Sequence, residues 1–113
     1  MKVLIVDDNS QAREMLAFYL RDFAKEIREC CDGVDALAAY TDFHPDWVLM
    51  DWEMKVIDGL AATCQIVSSF PDAQILMVTQ YDDVELRRAA AKAGASGFIS
   101  KDDLQALRQF LFQ

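Results

Sequence analysis

Residues that could handle a phosphoryl group follow four apolar runs in this chain. They are Asp7 and Asp8 after Lys2–Val6, Asp51 after residues 47–50, Thr79 after residues 75–78, and Lys101 after Gly97–Ser100. In a parallel α/β sheet the carboxyl ends of the strands share one edge, and ligands bind in the crevice there. We therefore expect three carboxylates, one hydroxyl and one ammonium to converge on a single pocket.

The residue types in this set indicate both a metal and a phosphoryl group. Carboxylates with open coordination positions suit a hard cation such as Mg²⁺. A hydroxyl and a lysine ammonium suit phosphoryl oxygens. Taken singly, Asp7-Asp8 could be a turn or helix cap, Thr79 a strand residue, and Lys101 a solvated lysine. Their joint placement predicts an aspartate that accepts a phosphoryl group beside a bound metal.

The surrounding sequence predicts five strands that alternate with helices. Lys2–Val6 is a continuous Val/Leu/Ile run, which is typical of a strand covered on both faces. Residues 26–31 predict a weaker edge strand, because charged residues interrupt it, and Asp32-Gly33 after it predicts a turn. Five such units with short connections favour a parallel sheet with right-handed crossovers and helices on both faces.

Helix caps and apolar spacing place the helices between these strands. In chain order, the five helices are predicted to start at Asn9 or Ser10, Val34, Asp58-Gly59, Asp82 or Asp83, and Asp102 or Asp103. The second to fifth helices are predicted to end near Tyr40, Ser69, Lys92 and Phe112, in the same order. The first helix has an apolar series at i, i+3/i+4 spacing: Ala12, Met15, Leu16, Tyr19, Leu20 and Phe23.

Composition limits the function classes. A chain of 113 residues is one domain by size. Its net charge of −8 argues against direct nucleic-acid binding. The apolar start ends too early at Asp7-Asp8 for a signal peptide, and no run reaches the ~18 residues that span a bilayer, so we expect a cytoplasmic protein without membrane contact. Three cysteines without CxxC spacing predict reduced structural thiols rather than a disulfide frame or zinc site.

Together these motifs resemble the receiver domain of two-component response regulators over the whole chain. The matching pieces are Val6-Asp7-Asp8, Leu49-Met50-Asp51, Met54, Asp58-Gly59, Val78-Thr79, Ala93-Gly94-Ala95 and Lys101, and the stretch 81–103 is most similar to the NarL/FixJ-type subfamily. The resemblance implies a flavodoxin-like, doubly wound five-stranded parallel sheet in the order 2-1-3-4-5. It implies one receiver domain over residues 1–113, with any helix-turn-helix output domain for transcription absent from this chain.

The resemblance also implies roles for the acidic residues. Asp51 would take the phosphoryl group from a phosphohistidine on a sensor histidine kinase. Mg²⁺ would be bound by Asp8, Asp51 and the backbone carbonyl of Glu53, with Asp7 acting through a water molecule. Three close carboxylates repel one another and the incoming phosphoryl oxygens. A divalent cation and Lys101 would offset that charge.

A second implied group of residues forms a switch. Thr79 would bond a phosphoryl oxygen and move inward, and Phe98 stands where the family carries the aromatic residue that follows it. The chain would catalyse only its own phosphorylation and dephosphorylation, so we do not expect a turnover enzyme.

Several positions depart from the family pattern. Lys55 and Asp102 stand where many receivers have proline, and the second of these prolines, after Lys101, is cis in the family. A cis bond before a residue other than proline costs about 3 kcal/mol, so the isomer of the Lys101-Asp102 bond stays open. Gln80 replaces a small residue near Asp51. Phe98 lacks the hydroxyl group that a tyrosine would have at this switch position, so it cannot donate a hydrogen bond.

Other function classes fit parts of the pattern. Haloacid-dehalogenase-type phosphatases also use Asp, Mg²⁺, Thr and Lys, but their nucleophile follows the first strand, whereas Asp51 follows the third. A receiver-type binding module that works without phosphorylation is a further alternative. Flavin binding is less favoured, because no Ser/Thr-rich phosphate loop follows the first strand.

The end of the chain predicts self-association. Phe110, Leu111 and Phe112 are consecutive and cover too wide an arc for one core-facing stripe. An exposed apolar surplus often marks an interface, so we expect a homodimer through the last helix with the neighbouring fourth helix and fifth strand. The alternative is that Phe112 contacts a following linker.

Overall fold

The computed structural model describes residues 1–80 and 83–112, and its centre is a five-stranded parallel sheet. The strands are β1 (Lys2–Val6), β2 (Glu26–Cys30), β3 (Trp47–Asp51), β4 (Ile75–Thr79) and β5 (Gly97–Ser100). Their spatial order is β2-β1-β3-β4-β5, and every neighbouring pair is parallel. The predicted flavodoxin-like fold and the edge position of β2 are confirmed.

Within the described residues, five helices connect and cover the strands. They are α1 (Ser10–Leu20), α2 (Ala36–Phe43), α3 (Gly59–Ser69), α4 (Val84–Ala93) and α5 (Leu107–Leu111). Short 3₁₀ turns at Gly33–Asp35 and Leu104–Ala106 lead into α2 and α5. Asn9 caps α1 and Asp83 caps α4 through side-chain bonds to backbone N–H groups. Asp82 lies outside the described residues.

Alternate strand residues fill two cores, one on each face of the sheet. Against α2, α3 and α4 lie Leu4, Val6, Val48, Met50, Ile75 and Met77. Against α1 and α5 lie Val3, Ile5, Leu49, Leu76, Val78 and Ile99. Because β1 is covered on both faces, Val3 to Val6 are fully buried, which confirms the interpretation of its continuous apolar run.

The apolar series of α1 is narrower than predicted. Leu16 and Leu20 are buried, whereas Met15 and Tyr19 are 51% and 41% exposed. The two buried residues are four apart and lie on one side of the helix. Only that face of α1 therefore packs against the core, and Met15, Phe18 and Tyr19 face solvent.

The last helical segment begins after Asp103, as predicted, but the predicted helix cap is wrong. Asp103 occupies the N-cap position of the 3₁₀ turn but makes no side-chain cap bond. The turn is closed by Ser100 instead: its Oγ accepts the Asp102 N–H at 3.1 Å, and its carbonyl accepts the Asp103 N–H at 2.9 Å.

All three cysteines are free, as predicted. Cys31 and Cys64 are exposed, so the prediction that the thiols are structural is wrong for these two. No helix in the described part of the chain is long and apolar enough to cross a membrane.

Candidate functional site

A pocket of about 350 Å³ opens at the carboxyl edge of the sheet. It is lined by Asp7, Asp8, Asn9, Asp51, Glu53, Met54, Lys55, Thr79, Gln80 and Lys101. Strand register produces this set. Val6 is level with Met50, Asp51 with Val78, and Thr79 with Ser100, so the residues at or just beyond each strand end reach the same height.

Three carboxylates meet in this pocket. Asp7, Asp8 and Asp51 each place one oxygen within 4.8 Å of the others. Asp7 and Asp51 are buried, whereas Asp8 is exposed. Asp7 Oδ1 accepts the Asn9 N–H at 2.9 Å. Asp7 Oδ2 is buried without an aligned hydrogen bond, although the ammonium of Lys101 lies beside it.

Lys101 is the cation at the centre of this pocket. Its Nζ lies 2.9 Å from Asp7 Oδ2 and 3.1 Å from Asp51 Oδ1. Burial acts to lower the pKa of Lys101, but the two carboxylates outweigh it and raise the pKa above its usual value. The Lys101 N–H donates to the Thr79 carbonyl at 2.7 Å. The Lys101-Asp102 bond is trans, which settles the isomer that the sequence left open.

Burial and nearby negative charge affect the Asp51 carboxyl more than the Lys101 ammonium can offset. Burial and then the charge of Asp7 raise the pKa of Asp51 from 3.8 to about 6, and Lys101 only partly reverses this. A set of oxygen donors with excess negative charge and a poorly satisfied buried oxygen fits a hard divalent cation. The three aspartates could therefore hold Mg²⁺.

The loop between β3 and α3 forms one wall of the pocket. The Gly59 N–H donates to the Trp52 carbonyl at 2.8 Å and so closes the loop. The Asp58 side chain accepts the Ala61 N–H at 2.8 Å and caps α3. A Cβ on Gly59 would lie 2.0 Å from the Asp51 carbonyl oxygen. Glycine thus allows α3 to begin against the backbone of the proposed phosphoacceptor.

Sequence reasoning missed a contact behind this loop. Asp32, which the sequence indicates only as part of a turn, is buried and accepts the N–H groups of Val56 and Ile57. These donors lie 24 and 25 residues away. A pair of this kind has no local sequence signal, because it depends on the approach of two loops in the folded chain.

The two proposed switch residues are both buried. Thr79 ends β4 at the pocket, and Phe98 lies in β5 with only 8% exposure. The Arg87 guanidinium on α4 lies 5.1 Å from the centre of the Phe98 ring, within the range of a cation–π contact. The ring therefore packs under α4 in this structure.

Similarity to known proteins agrees with the geometry. The sequence matches the family described as "Response regulator receiver domain" over residues 3–112. The chain is 36% identical over 104 residues to the Bacillus subtilis protein called "Uncharacterized transcriptional regulatory protein YhcZ", covering 90% of this chain and 49% of that protein. It is 37% identical over 100 residues to chemotaxis protein CheY of Halobacterium salinarum, covering 88% and 83%.

A solved response regulator structure has a similar fold. A LuxR-family two-component response regulator from Aurantimonas superposes with a TM-score of 0.87 at 27% identity, over 97% of this chain and 84% of that one. The chain spans about half the length of YhcZ but most of the length of CheY.

Proposed function

Because this chain belongs to the response regulator receiver family, we propose that Asp51 accepts a phosphoryl group from a phosphohistidine on a sensor histidine kinase. The observation that carries the proposal is the buried Asp51 carboxylate, with Lys101 Nζ at 3.1 Å and two further aspartates beside it. In the transfer an Asp51 oxygen attacks phosphorus in line. The phosphorus–nitrogen bond of the donor breaks, and its electron pair returns to the imidazole.

The neighbouring side chains would stabilise the transferred group. The Lys101 ammonium would contact one phosphoryl oxygen, and the Thr79 hydroxyl would donate to another. Asp8, Asp51 and the Glu53 carbonyl would hold Mg²⁺, with Asp7 acting through a water molecule. When bound, the cation would neutralise charge on the phosphoryl oxygens.

The switch proposal takes a particular form in this chain. The Phe98 ring is buried in this structure. We propose that phosphorylation, acting through Thr79, favours this inward position of the ring. Arg87, stacked over the ring, would stabilise the same position.

Acetyl phosphate as a small phosphodonor tests the proposed reaction. With Mg²⁺, intact-mass measurement should find one phosphoryl group per chain, lost slowly once the donor is removed, and chelation of Mg²⁺ should prevent uptake. Sustained release of phosphate from many donor molecules would instead support the haloacid-dehalogenase-type alternative. Absence of any uptake would support a binding module that works without phosphorylation.

The relatives also suggest the biological setting. YhcZ is called a transcriptional regulatory protein and is about twice as long as this chain. We propose that the receiver acts in the cytoplasm as the phosphorylation-dependent part of such a regulator, with a helix-turn-helix domain contacting DNA. With a net charge of −8, the receiver itself is a poor DNA ligand.

We also predict that the phosphorylated protein self-associates through α5. Phe112 is 53% exposed and contacts Phe23 with ring centres 5.0 Å apart, so the end of α5 leaves an aromatic surface uncovered. The Phe112→Ser variant should weaken association in sedimentation velocity. Val34→Ser, which removes a similarly exposed apolar residue elsewhere, should not. A phosphorylated wild type that stays monomeric at high concentration would contradict the prediction.

A further inference from the structure

Asp32 is a buried carboxylate that does not line the phosphorylation pocket. It follows β2 and is only 8% exposed. Its Oδ1 accepts the N–H groups of Val34 at 3.0 Å and Ile57 at 3.1 Å, and its Oδ2 accepts the Val56 N–H at 3.0 Å. Burial of a charge is costly unless hydrogen bonds compensate it, and here backbone donors do so.

Two of these donors belong to the loop that leads away from Asp51. Val56 is 72% exposed, so its position depends little on apolar packing. The close approach of the two loops also requires glycine at position 33, because a Cβ there would lie 2.5 Å from the Ile57 carbonyl oxygen. The Asp32 carboxylate thus holds the middle of the loop from behind, while the Gly59–Trp52 bond closes its ends.

The charge of Asp32 matches this role. Burial alone would raise the pKa of its carboxyl, but the bonds from the backbone N–H groups outweigh burial and lower it. The acceptor is therefore ionised at neutral pH. Charged acceptors make stronger hydrogen bonds than neutral ones. Lys55 does not restrict the backbone as a proline at this position would. The loop therefore depends more on the Asp32 hydrogen bonds than a loop with proline would.

We propose that Asp32 is a positioning residue that fixes the β3–α3 loop so that the Glu53 backbone carbonyl faces the metal site. The proposal rests on the proposed function for the identity of the ligand. It extends that function to a residue on the opposite side of the loop. Groups that orient a metal ligand typically change metal affinity by 10–100-fold when they are removed.

The test compares Asp32→Ala and Asp32→Asn with Asp35→Asn. Asp35 lies in the same connection, is exposed and makes no side-chain cap bond, so it controls for the loss of one negative charge. All variants carry Trp47→Phe, which leaves Trp52, next to Asp51, as the remaining tryptophan. Its emission reports titration with Mg²⁺, and NMR hydrogen exchange reports the Val56 and Ile57 amides.

Asp32→Ala should expose both amides to fast exchange and weaken Mg²⁺ binding by about 10-fold or more. Asp32→Asn keeps one side-chain oxygen acceptor, so it should fall between Asp32→Ala and the wild type. It also provides a measurable variant if the alanine variant does not fold. Asp35→Asn should match the wild type in both measurements.

Three outcomes would overturn the proposal. Fast exchange with unchanged Mg²⁺ affinity would make Asp32 a structural residue only. An equal loss of affinity in Asp35→Asn would make the effect one of net charge. Unchanged amide exchange in Asp32→Ala would show that the carboxylate does not hold the loop. Failure of the proposed function looks different, because the Trp47→Phe parent would then not respond to Mg²⁺ at all, while amide exchange would still report the loop anchor.

Discussion

Replacing Asp51 by Asn is expected to abolish phosphoryl uptake and, at the same time, to stabilise the metal-free protein at neutral pH. Uptake should fall to background because an amide lacks the nucleophilic carboxylate oxygen. Stability should rise because the pKa of Asp51 is raised from 3.8 to about 6, chiefly by burial and by Asp7. Ionised Asp51 therefore destabilises the folded state.

The gain in stability of Asp51→Asn over the wild type should increase as the pH rises. Between about pH 4 and 6 the folded wild type holds a proton on Asp51 that the unfolded chain has already released, so wild-type stability falls as the pH rises through this range. The difference between Asp51→Asn and wild type should be absent below pH 4 and complete above pH 6. A shift of this size corresponds to at most about 3 kcal/mol.

Urea unfolding and intact-mass analysis measure the two effects. Asp35→Asn removes an exposed charge outside the pocket and should change neither quantity. Adding Mg²⁺ should stabilise the wild type and Asp35→Asn through binding to the folded state but stabilise Asp51→Asn much less. Equal phosphoryl labelling of Asp51→Asn and wild type would rule out Asp51 as the acceptor.

The strands could be predicted closely because they are short apolar runs with abrupt ends. Lys2–Val6 matches β1 residue for residue, and the fifth strand, predicted as residues 96–100, is one residue shorter at Gly97–Ser100. The starts of helices could also be predicted from local caps such as Asn9. Since the polar residues follow the strands directly, a parallel sheet brings them to one edge without further information.

Features that depend on the fold as a whole could not be read in the same way. The exposure of Met15 and Tyr19 depends on which side of α1 meets the sheet, and the apolar spacing alone allows a wider stripe. The role of Asp32 depends on two loops that meet in space. A turn signal at Asp32-Gly33 indicates where the chain reverses, but it does not indicate which backbone groups the carboxylate will meet.

Gly59→Ala is expected to damage both the fold and the proposed phosphorylation site. The new Cβ would lie 2.0 Å from the Asp51 carbonyl oxygen and 2.9 Å from its carbonyl carbon. Both are backbone atoms, so the clash cannot be relieved by rotating a side chain. The start of α3 must move away from β3, and overpacking of this kind typically costs about 1–3 kcal/mol. We expect the upper end of that range in urea unfolding.

Gly94→Ala separates a general loss of stability from damage to the site. Gly94 has φ +104° and ends α4, and an added Cβ would press on the Val67 side chain. This variant should be destabilised by about 1–2 kcal/mol, which is the cost of a left-handed conformation for an alanine. Under conditions where it is fully folded, it should still take up phosphoryl groups at the wild-type rate. Gly59→Ala, compared under the same conditions, should be labelled more slowly, because moving α3 also displaces the Asp51 backbone and the loop that carries Glu53. Equal labelling rates for the two folded variants would mean that the contact between Gly59 and Asp51 supports the fold alone and does not set the geometry of the proposed phosphoacceptor.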